Sequence, residues 1–154
     1  MIIVRKPVPG VSESSLARFV GKAARAVKLK GSINILITSS RELQALNRRF
    51  RGKDKPTDVL SFPPMAEFST GLAGDIAISA EIAARNAKSL GHSTAAEIKT
   101  LALHGILHLA GYDHERDSGA MAQKEERLRH SLGLPVSLIE RSAHSISRSP
   151  RPPR

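Results

Sequence analysis

The chain lacks cysteine altogether and has few aromatic residues, with one tyrosine, four phenylalanines and no tryptophan among 154 residues. Without thiols it can form no disulfide, and any metal must be bound by imidazole or oxygen ligands. The scarcity of aromatic rings argues against an extended platform on which the bases of a single strand could stack. Apolar runs are also short: none approaches the roughly 20 residues of a membrane span, and Ile2–Val4 is too brief for a signal peptide. We therefore expect a cytoplasmic protein without a membrane partner.

Positive charge, by contrast, is abundant, with a formal net charge of +10. Six basic side chains lie between positions 41 and 55, against two acidic ones: Arg41, Arg48, Arg49, Arg51, Lys53 and Lys55, with Glu42 and Asp54. Such an excess attracts polyanions, of which nucleic acid is the commonest in a cell. We expect recognition through phosphates and shape rather than stacked bases. Charge alone leaves a generally basic protein as the alternative.

Hydrophobic periodicity and helix-capping residues predict the element order β-α-β-α-β-β-α-α-α. The predicted strands are 2–5, 32–38, 58–62 and 74–79. The predicted helices are 12–30, 39 to 47 or 49, 79–91, a fourth opening at Ser93 or Thr94, and 117–131. This order indicates one α+β domain over residues 1–141, with a mixed sheet of about four strands and about five helices. The basic, proline-rich tail 142–154 is expected to be disordered.

Three histidines in the run HGILHLAGYDH are the strongest chemical signal in the chain. His104 and His108 are four residues apart, so they lie on one face of the fourth helix, which we expect to be the central one. Gly111 allows the helix to end in a left-handed turn, after which His114 can return toward the first two. Three neutral imidazoles would bind one divalent ion, with zinc the first candidate, and leave a coordination position open.

A known protease signature, H-E-x-x-H-x-x-G-x-x-H, places its three histidines and its glycine at the same offsets. Its glutamate, the general base of the peptidase reaction, is replaced here by Gly105. The pattern therefore predicts a metal hydrolase that is not a conventional peptidase. The alternative is that the helical histidines are core residues bound to backbone carbonyls. The remaining histidines, His92, His130 and His144, are predicted to lie on the surface.

The acidic residues near this motif have several possible roles. Asp113 and Asp117 could each orient an imidazole, although Asp117 is better explained as a cap of the last helix. Asp75 is either a turn residue or such a partner. Glu97 shares the histidine face, but in a first turn it is better explained as complementing the helix dipole. None is predicted to be a general base.

Taken together, these residues resemble the YbeY family of bacterial endoribonucleases. Two blocks carry the resemblance: LNRRFRGKDKPTDVLSFP at 46–63 and HGILHLAGYDH at 104–114. The stretches GDIAIS at 74–79 and M-x-x-x-E-E at 121–126 support it. The resemblance extends from about residue 2 to 135, so the tail 142–154 falls outside it.

The resemblance implies an α+β metalloprotein in which His104, His108 and His114 bind zinc. It also places the family's implicated arginine on Arg51, where a guanidinium could stabilise charge on a phosphodiester. Without the family, Arg51 is one more arginine in a basic loop. The aromatic before it, usually tyrosine in the family, is Phe50 here, which removes a hydroxyl.

The function implied is a metal-dependent endoribonuclease, specific for single strands, that matures ribosomal RNA, including the 3′ end of 16S RNA, and serves ribosome quality control. Ribosomal RNA precursors and small-subunit proteins would be its partners. Two alternatives stay open. One is a ribosome-assembly or RNA-binding factor whose metal is structural, and the other is a divergent metallopeptidase.

Overall fold

The computed structural model describes residues 1–65, 71–113 and 116–135. These residues form four strands and five helices: β1 (Ile2–Val4), α1 (Glu13–Ala26), β2 (Ser32–Thr38), α2 (Ser40–Arg51), β3 (Val59–Phe62), β4 (Leu72–Ser79), α3 (Ala80–Leu90), α4 (Thr94–Leu109) and α5 (Ala120–Ser131). The predicted order of elements and the α+β class are confirmed. The tail 142–154, for which disorder was predicted, lies outside the described residues.

The four strands form one mixed sheet in the order β1-β2-β4-β3. β1 and β2 pair in parallel, as do β2 and β4, whereas β3 runs antiparallel to β4 along one edge. The two central strands, β2 and β4, are rich in β-branched residues, which strands favour. Ile35 of β2, for example, lies opposite Ile76 of β4. One face of this sheet packs against α4, the helix that carries His104 and His108.

Serine caps fix the starts of four helices, as the sequence predicted. Each side-chain oxygen accepts a hydrogen bond from a backbone N–H three residues later, which satisfies one of the unpaired donors of the first turn. The four caps are Ser12, Ser39, Ser79 and Ser93. Local chemistry alone is therefore enough to set these boundaries.

Helix ends were predicted less well. α1 ends at Ala26, four residues before the predicted Lys30, and Lys28 adopts a positive φ of 58°. α2 instead continues past Asn47 to Arg51 and stops at Gly52, whose left-handed φ of 67° ends the helix. The polar stretch from Phe50 onward has no periodicity, and this made the last turn of α2 look like a loop.

The α4 helix is the buried centre of the domain, as predicted. It packs against the sheet through β3 and β4 and is flanked by α1, α3 and α5. Ten of its sixteen residues are buried, and each fully buried leucine or isoleucine among them stabilises the fold by roughly 1.5–3 kcal/mol. A helix held on all sides is a rigid support for a binding site. Among the described residues, no helix is long and apolar enough to cross a membrane.

Candidate metal centre

The C-terminal half of α4 brings two imidazoles together at its surface. His104 and His108 lie one turn apart, with their Nε2 atoms separated by 3.1 Å. Their ring centroids are 4.7 Å apart and the ring planes cross at 73°. His104 is buried and His108 half-buried. The predicted common face of these two histidines is therefore present, and both Nε2 atoms point to one place.

This arrangement fits a shared metal ion. Zinc–imidazole bonds of about 2.0–2.1 Å in a tetrahedral site put two ligand nitrogens about 3.3 Å apart, close to the observed 3.1 Å. His114 lies outside the described residues, so the third ligand stays a prediction. Within residues 1–65, 71–113 and 116–135, no group of three or more His, Asp or Glu side chains has the arrangement of a metal site.

A carboxylate faces the His104 ring nitrogen that points away from His108. Glu125 of α5 is fully buried, and its Oε2 lies 3.5 Å from Nδ1 of His104. A carboxylate facing Nδ1 favours the proton on that nitrogen, which makes Nε2 the nitrogen suited to bind a metal and helps to orient the ring. Sequence reasoning missed this role for Glu125. The available signal was its helical spacing between Met121 and Leu128, which are both buried.

Gly105, which occupies the peptidase glutamate position, faces the sheet. A Cβ there would lie 2.9 Å from Cδ1 of Ile76 and 3.0 Å from Oγ of Ser61. A Cβ essentially never comes closer than 3.0 Å to an atom of a residue elsewhere in the chain. Position 105 is therefore tightly packed, and a side chain there would require the side chains of Ile76 and Ser61 to shift.

Gly111 ends the histidine helix as the sequence predicted. Its φ is +98°, and its backbone N–H donates to the carbonyl of His108 at 3.0 Å. The N–H of Tyr112 reaches back to the carbonyl of Leu107, also at 3.0 Å. These bonds satisfy carbonyls of the last helical turn and redirect the chain just before His114.

Arg51 lies at the end of α2 with its side chain exposed and connects to α4 through β3. Its guanidinium donates to the backbone carbonyl of Ser61. The Ser61 hydroxyl in turn donates to the carbonyl of Gly105 at 3.2 Å. The structure therefore brings Arg51 to the strand that packs against the histidine helix.

Asp117 binds backbone N–H groups at the start of α5, close to the capping role that was preferred for it, although the N-cap itself is Gly119. One carboxylate oxygen accepts from the N–H of Gly119 at 2.9 Å and the other from the N–H of Met121 at 3.0 Å. Because α5 carries Glu125, these hydrogen bonds also fix the start of the helix that supports His104.

Glu97 lies in the first turn of α4, as predicted, and it also pairs with a histidine. It is fully buried, and its Oε1 lies 2.7 Å from Nε2 of His92 in the turn before α4. His92, expected on the surface, is only 14% exposed in its side chain, whereas His130 is exposed as predicted. His144 lies outside the described residues.

Asp75 accepts a hydrogen bond from the Asn34 amide at 2.9 Å, across the β2–β4 pair.

A mixed sheet under a buried central helix, with paired imidazoles backed by a carboxylate, defines a single-domain α+β protein with a candidate metal centre. The chain belongs to the YbeY family: the family profile named Endoribonuclease YbeY matches residues 10–133. The chain is 56% identical over 142 residues to the Endoribonuclease YbeY of Koribacter versatilis, covering 92% of this chain and 91% of that protein. It is 44% identical over 140 residues to that of Solibacter usitatus, covering 91% and 92%.

A solved structure shares the fold. The solution structure of TM1509 from Thermotoga maritima matches this chain over the full length of both, with 30% sequence identity and a TM-score of 0.56. This similarity agrees with the α+β architecture described above.

Proposed function

We propose that this protein is a metal-dependent endoribonuclease that cleaves single-stranded RNA in the cytoplasm. Its substrates are ribosomal RNA precursors, including the 3′ end of 16S RNA, and the same activity serves ribosome quality control. Family membership supports the reaction class, since the family and both relatives carry the name endoribonuclease. The observation that carries the proposal is the pair of Nε2 atoms 3.1 Å apart on a rigid helix.

In this proposal, His104, His108 and His114 bind one zinc ion. When bound, such an ion lowers the pKa of a coordinated water toward neutrality and polarises a phosphoryl oxygen. The protein's contribution is to hold the ligands in place. Burial of α4 fixes the backbone of His104, and the Glu125 carboxylate faces Nδ1 of its ring.

Arg51 is assigned to the phosphate. In the transition state a phosphodiester gains negative charge on its equatorial oxygens, and a guanidinium can form two hydrogen bonds to them. The side chain is exposed and therefore accessible to RNA, while its contact with the Ser61 carbonyl anchors it beside α4. A guanidinium has five N–H donors, so this anchor leaves others for the substrate.

The basic segment around Arg51 is suited to the RNA backbone. All six basic residues between positions 41 and 55 have exposed side chains on α2 and the turn that follows it. Contacts of this kind provide affinity that does not depend on base sequence and falls with salt. Folded ribosomal RNA and the ribosomal small subunit would present the same phosphates.

This basic surface also favours a second candidate, a ribosome-assembly or RNA-binding factor whose metal is structural. The surface would bind RNA whether or not the histidines do chemistry. A metallopeptidase is disfavoured, because Gly105 cannot act as the general base of the peptidase reaction.

The test compares wild type with His108→Ala and, as a matched control, His130→Ala, which changes an exposed histidine of α5. Zinc content and cleavage of a single-stranded RNA are measured on the same preparations. We expect His108→Ala to lose both and His130→Ala to keep both. Loss of metal with unchanged cleavage would contradict the metal-dependent mechanism, and full metal without cleavage by wild type would favour the assembly factor.

A further inference from the structure

Phe50 is an aromatic ring in an unusual position for a chain so poor in aromatic residues. It lies in the last turn of α2 with 59% of its surface exposed, whereas Phe19 is buried in the core. The Phe62 ring meets it edge-on, with centroids 5.6 Å apart and planes at 70°. The guanidinium of Arg49 lies 5.4 Å from the Phe50 centroid.

We propose that Phe50, supported by Phe62 and Arg49, is a stacking site for one unpaired base of the RNA, an inference that rests on the proposed function. Every nucleobase has a π-face, so a single exposed ring binds bases without selecting among them. Arginine adds a cation–π contribution and pairs with the adjacent phosphates. The edge-on contact with Phe62 holds the Phe50 ring before RNA arrives, which reduces the entropy lost on binding.

The position of this stacking site relative to α4 gives it a consequence for cleavage. Phe62 is in β3, and its carbonyl oxygen and the Leu109 side chain both lie within 3.0 Å of where a Cβ on Gly74 would be. Leu109 directly follows His108 on α4. The guanidinium of Arg51 also lies 6.0 Å from the Phe62 ring. A base on Phe50 would therefore keep its neighbouring phosphates near Arg51 and the histidine end of α4.

A stacking site at Phe50 would give the protein a preference for single strands. A base can stack on Phe50 only after it has left its neighbours in a duplex, so paired RNA would bind through phosphates alone. The scarcity of aromatic residues still excludes an extended platform. One ring beside the phosphate-binding arginine is a different arrangement, and composition does not reveal it.

The experiment measures binding of the full-length, metal-loaded protein to two oligonucleotides of equal length and charge. One is a short 2′-O-methyl oligouridylate, whose integrity is checked on a gel, and the other is its abasic counterpart. Phe50→Leu keeps an apolar side chain and removes the ring, Phe50→Tyr keeps the ring, and Leu90→Ser is a control at another exposed apolar residue.

We expect Phe50→Leu to bind the base-bearing strand about tenfold more weakly and the abasic strand as wild type does. Phe50→Tyr and Leu90→Ser should retain wild-type discrimination. Equal weakening toward both strands, or unchanged binding to both, would overturn the stacking site. Loss of ribosomal small-subunit binding with unchanged RNA binding would instead assign Phe50 to a protein partner.

Cleavage of unmodified RNA separates this inference from the proposed function. If wild type discriminates between the two strands through Phe50 yet cleaves no RNA, the stacking site stands and the nuclease proposal fails. If wild type cleaves RNA and Phe50→Leu discriminates as wild type does, the nuclease proposal stands and the stacking site fails.

Discussion

Replacing Glu125 by glutamine should weaken metal binding while leaving the fold intact. The substitution keeps the shape of a fully buried side chain and removes the negative charge 3.5 Å from His104 Nδ1. Loss of such a supporting carboxylate lowers metal affinity by about 10- to 100-fold, which corresponds to about 1.4–2.8 kcal/mol of binding free energy. We expect a shift of this size, because His104 itself is retained.

The stability of the metal-free protein should respond differently. Burying a carboxylate is costly, and replacing it by a neutral group of equal size is often neutral or stabilising. Chemical denaturation of the metal-free protein should therefore show little loss in the free energy of unfolding for Glu125→Gln. A purely structural role would have the reverse signature, with lower stability and unchanged metal affinity.

The assay is a zinc titration in competition with a chromophoric chelator, carried out on wild type, Glu125→Gln and Glu126→Gln. Glu126 is adjacent and exposed, so its substitution makes the same charge change outside the site. We expect the dissociation constant to rise for Glu125→Gln alone. Equal affinities for the two variants would refute the assigned role of Glu125.

Two further predictions follow from the neighbouring contacts. Gly105→Ala should lower the free energy of unfolding by about 1 kcal/mol in chemical denaturation. Overpacking against Ile76 and Ser61 costs roughly 1–3 kcal/mol, whereas alanine gains about 1 kcal/mol in helix propensity. A stabilised variant would show that the neighbouring side chains repack without cost. Arg51→Ala should retain zinc and lose about 10²- to 10³-fold in the rate of RNA cleavage, with Arg51→Lys between the two, and unchanged cleavage by Arg51→Ala would remove Arg51 from the site.

Most of the fold could be predicted because its signals are local. The alternation of β2 gave its bounds, Ser32–Thr38, and the serine caps gave the helix starts. The end of α2 could not be predicted in the same way. Its last turn is polar and lacks an apolar period, and only the backbone conformation of Gly52 identifies the stop.

The candidate site was predictable only where one helix carries it. The pairing of His104 and His108 follows from their spacing on α4, and the turn at Gly111 follows from glycine's freedom at positive φ. The approach of Glu125 depends on how α5 packs against α4, which no local pattern encodes. The prediction for His114 concerns a residue outside those described, and it rests on the spacing of the motif and on the family.

The closeness of α4 to the sheet also has a consequence for substitution at position 105. In sequence, one residue, Gly105, separates the histidine motif from the protease signature. The side chains of Ile76 and Ser61 oppose that change, since close-packed neighbours must shift before a longer side chain fits. A glutamate at this position would therefore require changes in the sheet residues beneath it as well as the substitution itself.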